Sequence, residues 1–136
     1  MMCSRSASRH AFGKTLSEQG SIQKDIAMCR VEIDQARLLC MNAAHNMDKY
    51  GNKVAKHDIA AIKIVSPALA KRVIDTAIQA HGALGVSQDA VLAHLYANAR
   101  SLQLADGPDE VHWTALAKAE LKKVQPLKPK KKKFDP

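Results

Sequence analysis

From Ile22 the apolar residues fall at Ile22, Ile26, Cys29, Ile33, Ala36, Cys40, Ala43 and Met47, in alternating steps of four and three. That period puts them on one side of a helix about 27 residues long. Ser21 suits the cap at its start, and Gly51 stands just past its end. A long helix with one narrow stripe buries it best against neighbours nearly parallel to its axis, as in a bundle.

The rest of the chain supplies such neighbours. Asp58 is a good N-cap for a second helix carrying Ile62, Val65, Leu69, Val73, Ala77 and Ala80, with Pro67 inside it as a kink or a later start. That helix stops at Gly82, and residues 81–85 read as a loop in which Gly82 and Gly85 supply positive φ. Asp89 caps a third helix through Leu104, and a fourth runs from Pro108 to Val124. Nothing reads as a strand. The expected fold is therefore all-α, an antiparallel four-helix bundle over residues 1–124, followed by a Pro/Lys tail over residues 125–136.

Composition agrees, because a chain 46% hydrophobic but only 4% aromatic must build an aliphatic, Ala-rich core. No apolar run approaches the ~20 residues that span a bilayer. The net charge of +8 is unevenly placed: residues 122–136 hold seven lysines and one acid, a contribution of +6 that leaves the body at +2. A nucleic-acid partner is not expected, since the basicity belongs to a tail that reads as a solvated end. Cys3, Cys29 and Cys40 form no C-x-x-C, and the last two lie about 16 Å apart along one helix, too far to bond. Neither the cysteines nor the histidines make a metal pattern. The start, MMCSRSASRHAFGK, has the Arg/Ser-rich, acid-free composition of a mitochondrial transit peptide, and the C-terminal FDP is not a peroxisomal address.

Three short stretches hold candidate functional residues. In QLADGPDEVHW, residues 103–113, Gly107 suits an N-cap, Pro108 the first helical position, and Asp109 and Glu110 the positive end of a helix dipole. Asp106 is then either part of the turn or a carboxylate at the mouth of the bundle, placed to take a proton. In QAHGALG, residues 79–85, the glycines serve either a helix end or the close approach of bare backbone to a flat or anionic ligand, with Gln79 as a hydrogen-bonding side chain. It is not a G-x-G-x-x-G phosphate loop. In RHAFG, residues 9–13, Arg9 could meet a phosphate while the Phe12 ring packs on a helix. His81 and His112 read as surface or packing residues, and Trp113 as core or interface.

Taken in order, these stretches resemble the C-terminal helical domain of the acyl-CoA dehydrogenases. The family's R-x-x-F-G-x-x-L appears as Arg9, Phe12, Gly13 and Leu16, and its Q-x-x-G-G-x-G as Gln79, Gly82, Ala83 and Gly85. Its E-G-T loop is matched by Asp106, Gly107 and Pro108. The wording LADGPDEVH, with GVSQD at 85–89, is most similar to the branch of family members 10 and 11.

The resemblance implies a domain of a flavoprotein that oxidises fatty acyl-CoA at Cα–Cβ. It makes Asp106 the base for the Cα proton and sets Gly107 against the acyl-CoA. It puts Arg9 on the FAD pyrophosphate and Gln19 beside the cofactor. Gln79, Ala80, His81, Gly82 and Ala83 would meet FAD bound mainly by a neighbouring subunit, and Pro108, Asp109 and Glu110 would lie along the flavin. A thioester α-proton is weakly acidic, so a carboxylate that removes it works best in a dry site.

The family pattern further implies a homo-oligomer, with electron-transfer flavoprotein as a candidate acceptor and the mitochondrion, or alternatively the peroxisome, as location. Three positions depart from it. Asp106 is one methylene shorter than the usual Glu, Ala97-Asn98-Ala99-Arg100 replaces R-D-x-R, and Gly20 replaces a glutamine, though Gln19 adjoins it. Because the family's N-terminal and middle β domains have no counterpart here, residues 1–136 alone are expected not to oxidise acyl-CoA, and the transit-like start is better read as the end of a helix leading into Arg9. A non-enzymatic helical module that associates with itself or a longer relative is the alternative.

Overall fold

The computed structural model describes residues 1–124; the Pro/Lys tail at 125–136 lies outside the described residues. Six α-helices, one short hairpin and a 3-10 turn are found among the described residues. Helix α1 (Met2–Ser8) leads into a hairpin of β1 (His10–Ala11) and β2 (Lys14–Thr15), antiparallel with His10 opposite Thr15. A 3-10 turn at Leu16–Glu18 then enters α2 (Gly20–Tyr50), followed by α3 (Asn52–His81), α4 (Ala83–Val86), α5 (Leu92–Leu102) and α6 (Asp109–Lys123). The transit-like start is indeed helical.

Helices α2 and α3 are separated by Gly51 alone, whose φ of 78° turns the chain back on itself. Helix α3 is central and packs against α2, α5, α6 and α1. The long elements α2, α3, α5 and α6 are the four of the expected bundle. Cys29, Ala36 and Ala43 are the buried positions of the α2 stripe, and they face α3, which buries Ala55, Ala60, Pro67, Ala77 and Ala80.

Several expected boundaries are corrected. Helix α2 starts at Gly20 with Gln19 as its cap residue, so Ser21 lies inside it. The second long helix begins at Asn52, not after Asp58, because one glycine is enough to reverse the chain. Asp58 instead accepts a 2.9 Å hydrogen bond from Asn46 Nδ2, across the α2–α3 hairpin.

Residues 83–86 form a short helix rather than a loop. Gly82 has the expected positive φ of 63°, but Gly85 does not. A Cβ at Gly85 would stand 2.7 Å from the Ile78 carbonyl oxygen and 2.8 Å from its Cα, so close packing selects this glycine. Asp89 caps nothing; α5 begins three residues later and ends at Leu102 rather than Leu104. Trp113 is half-exposed on this chain and Phe12 is 97% exposed, so the Phe12 ring packs on no helix among the described residues. The two-residue strands were not foreseen, being too short for alternation to register.

Candidate functional site

Between α5 and α6 the chain makes a tight turn at residues 103–108. Asp106 and Gly107 both take positive φ, 53° and 94°. Aspartate is one of the few side-chain-bearing residues that tolerate this region, and glycine enters it freely. This left-handed pair shifts the helix start by one residue. Pro108, not Gly107, is the residue before the first turn, and α6 begins at Asp109.

The turn is tied down from several sides. Lys63 Nζ on α3 donates to the Leu102 carbonyl at 2.7 Å and to the Gly107 carbonyl at 3.3 Å. Gln103 Nε2 donates to Asp109 Oδ2 at 2.8 Å, and the Asp109 amide returns to the Gln103 carbonyl at 3.3 Å. The His112 ring nitrogen lies 3.3 Å from the Asp106 carbonyl oxygen. The Asp106 carboxylate, by contrast, is exposed and takes no hydrogen bond from the described residues. A backbone fixed this firmly under a free carboxylate is an arrangement able to present a base.

The residues after it divide. Pro108 and Glu110 are exposed, whereas Asp109 is buried at 7% exposure and engaged by Gln103. Its second oxygen, Oδ1, has no partner among the described residues.

The other candidates gather at the opposite end of α3. Gln79, Gly82 and Ala83 are exposed, Ala80 is buried, and His81 Nδ1 lies 2.7 Å from the Ala77 carbonyl oxygen. An added Cβ at Gly82 would meet nothing within 4 Å, so its backbone faces open space. Since α2 and α3 run antiparallel, the start of α2 lies at this end, with Gln19 as its cap. Arg9 precedes the hairpin, its carbonyl accepting from the Leu16 amide at 2.8 Å, while its guanidinium pairs with no carboxylate among the described residues.

The Gln19 side-chain nitrogen is buried without a partner there. A free guanidinium, an unused amide donor and a bare glycine backbone fit a phosphate-bearing, hydrogen-bond-accepting cofactor such as FAD. This end is distant from Asp106. From Lys63, which touches the turn, to Gln79 is 16 residues of helix, roughly 24 Å along the axis.

Reading the sequence missed Lys63 and the Gln103–Asp109 brace. Their local patterns carry no motif, and only tertiary contact gives them a role. Lys63 does stand four residues before Pro67, which has no N–H to offer its carbonyl.

The fold and the two separated sets of residues define an all-helical domain of the acyl-CoA dehydrogenase type. The family model described as "Acyl-CoA dehydrogenase, C-terminal domain" matches residues 1–121, and the chain belongs to that family. Acyl-CoA dehydrogenase family member 10 of Mus musculus is 59% identical over 122 residues, which is 90% of this chain and 11% of that protein. A solved protein from Mycobacterium abscessus, assigned to the acyl-CoA dehydrogenases, superposes with a TM-score of 0.88 at 46% identity, covering 90% of this chain and 30% of that one. Butyryl-CoA dehydrogenase from Megasphaera elsdenii gives 0.82 at 30% identity, covering 88% and 31%. The chain thus spans less than a third of each of these relatives.

Proposed function

We infer that this domain serves the flavin-dependent oxidation of fatty acyl-CoA at Cα–Cβ, a step of fatty-acid β-oxidation, with Asp106 as the base. The observation that carries this reading is the free Asp106 carboxylate on a turn braced by Lys63, Gln103 and His112. Asp106 takes the α-proton, and Gly107, with no side chain, lets the acyl thioester come close. FAD, when bound, supplies the hydride acceptor. Arg9 and Gln19 offer a charge and a donor to its phosphates. Pro108, Asp109 and Glu110 set the position of the turn beside the flavin, Asp109 from inside the fold.

The long separation of Gln79–Ala83, and of Arg9 and Gln19 at the same end, from Asp106 supports contact of that end with FAD held mainly by a neighbouring subunit. Gln79 and the Gly82 and Ala83 backbone meet it directly, while Ala80 and His81 shape the helix end. The assembly is then a homo-oligomer, with electron-transfer flavoprotein as the acceptor and the mitochondrion, or else the peroxisome, as its place. Because the chain covers so little of its relatives, residues 1–136 alone hold too few contacts to turn over acyl-CoA.

The test is Asp106→Asn in a longer protein that joins this domain to its flavin-binding parts. Loss of a positioned general base should cut the rate of flavin reduction by about 10²–10⁴-fold, with acyl-CoA affinity little changed. Unchanged flavin reduction would return Asp106 to the turn. The purified 136-residue chain should be colourless and inert; a yellow chain that reduces an acceptor with acyl-CoA would refute its dependence on other domains.

A second reading, a non-enzymatic helical module, draws on one observation: Val31, Leu38 and Met41 of α2 are exposed. Mixing the chain with a longer relative distinguishes the two. Flavin retained by the mixed oligomer favours the enzymatic role, and flavin lost from it favours an inhibitory module.

A further inference from the structure

Lys63 sits on α3, far in sequence from the Asp106 turn, yet its ammonium bonds two carbonyls that bracket that turn. Leu102 is the last residue of α5, so its carbonyl is among those a helix end leaves without an intrahelical donor. A cation there also meets the negative end of the α5 dipole. Gly107 immediately follows Asp106, and its left-handed φ of 94° belongs to the same reversal. One carbonyl therefore marks where the chain leaves α5, and the other where it has just passed Asp106. An ammonium bonded to both fixes the span between them.

The remaining braces act differently. The Gln103–Asp109 pair links the turn to the first residue of α6, and His112 reaches back from the same helix. Both would travel with α6 if it shifted. Among the described residues, Lys63 supplies the side-chain hydrogen bonds that tie the turn to α3, the central helix. Hydrogen bonds to a charged group are about twice as strong as neutral ones, which applies to the Lys63 bonds and to the Gln103–Asp109 bond alike, but the Lys63 bonds reach the turn from α3 rather than from α6.

We propose that Lys63 is the positioning residue of the site: its ammonium, anchored by α3, holds the left-handed turn that presents the Asp106 carboxylate to acyl-CoA. The presentation to acyl-CoA rests on Asp106 being the base, whereas the hold on the turn does not. The two therefore fail separately. Active Asp106→Asn enzyme would dismiss the base and leave every measurement below unchanged.

The experiment is nuclear magnetic resonance on the 136-residue chain, comparing wild type with Lys63→Met and Lys63→Arg. In the wild type, the Lys63 ammonium should give a slowly exchanging ¹H–¹⁵Nζ signal, unlike lysines in free solvent. Lys63→Met should move the Asp106 and Gly107 Cα shifts, and the Asp106 coupling that reports φ, away from the left-handed values. It should also speed amide exchange at Leu104, Ala105 and Asp109 by roughly tenfold or more, the loss expected for a hydrogen bond from a charged donor. Amides of α2 and the first half of α3 should keep their rates. Lys63→Arg, which still offers two donors, should restore the wild-type pattern.

A Lys63 ammonium exchanging as fast as the solvent-exposed lysines would overturn the proposal, and that result needs no variant to fold. So would a Lys63→Met chain with unchanged turn signals, or one loosened equally throughout.

Discussion

Asp106 combines a conformation few side-chain-bearing residues adopt with a carboxylate that bonds to nothing in the described chain. The one other described non-glycine residue at positive φ is Phe12, in the hairpin that follows Arg9. Both strained positions therefore adjoin candidate site residues. The hairpin has its own carboxylate. Glu18 Oε2 accepts from the Thr15 hydroxyl at 2.7 Å and from the Thr15 amide at 2.8 Å. Those bonds, the hydroxyl's first, hold the Glu18 carboxyl below its ordinary value. A depressed carboxylate pKa contributes stability that is present above the unfolded pKa and lost as pH falls through the lower, folded one. The Thr15–Glu18 turn, and the Leu16 bond to the Arg9 carbonyl beside it, should thus persist at neutral pH and loosen as the pH falls below the ordinary glutamate range. Thr15→Val removes the hydroxyl bond but keeps the amide. The Glu18 midpoint, followed by carboxyl-carbon resonance, should then rise towards the ordinary range. An unmoved midpoint would mean that the hydroxyl does not hold it.

At the scale of elements, periodicity was readable and termini were not. The four-and-three stripe of α2 could be read because every third or fourth position repeats the same burial, and the structure buries Cys29, Ala36 and Ala43 from it. Caps are single residues whose chemistry serves several purposes, so Asp58 could look like a helix start while actually bonding Asn46 across the hairpin. The site shows the same division. The Asp106, Gln79 and Arg9 stretches were legible as an ordered set of motifs, but Lys63 was not, because the carbonyls it bonds lie 39 and 44 residues away in sequence. Gly85 shows what a sequence leaves ambiguous about glycine. It was expected to supply positive φ and in fact supplies room, letting α4 touch the last turns of α3. Gly85→Ala should destabilise the domain by about 1–3 kcal/mol, as overpacking against rigid backbone does. The change should show in thermal unfolding of the chain. A neutral substitution would mean that α4 moves freely on α3 and does not fix the Gln79–Ala83 end.

For the molecule as a whole, the distribution of large apolar side chains is uneven. Of the nine buried hydrophobic residues among those described, seven are alanine, alongside Cys29 and Leu92. Small residues let the long helices approach closely, but they remove little apolar area from water. Much of the larger apolar surface lies outside. Val31, Leu38 and Met41 on α2 are 54%, 67% and 63% exposed. Leu38 follows Ala36 by two residues, as Val31 follows Cys29, which places both about 200° around the helix from the buried stripe. Helix α2 therefore carries two apolar lines, one against α3 and one against solvent. Leaving such a line wet costs about 25 cal/mol for each Å² that a partner could cover, and the oligomer proposed above would cover it. Wild-type chain should accordingly sediment as a concentration-dependent oligomer. Leu38→Glu with Met41→Lys should shift it to monomer while helix content, read by far-ultraviolet dichroism, stays the same. The charges enter only the outer line, so a loss of helix would place that line in the fold of the single chain. A wild type that stays monomeric at high concentration would remove the assembly from α2 altogether, and the contact of Gln79–Ala83 with a neighbouring subunit's FAD would then need another face to bring it near.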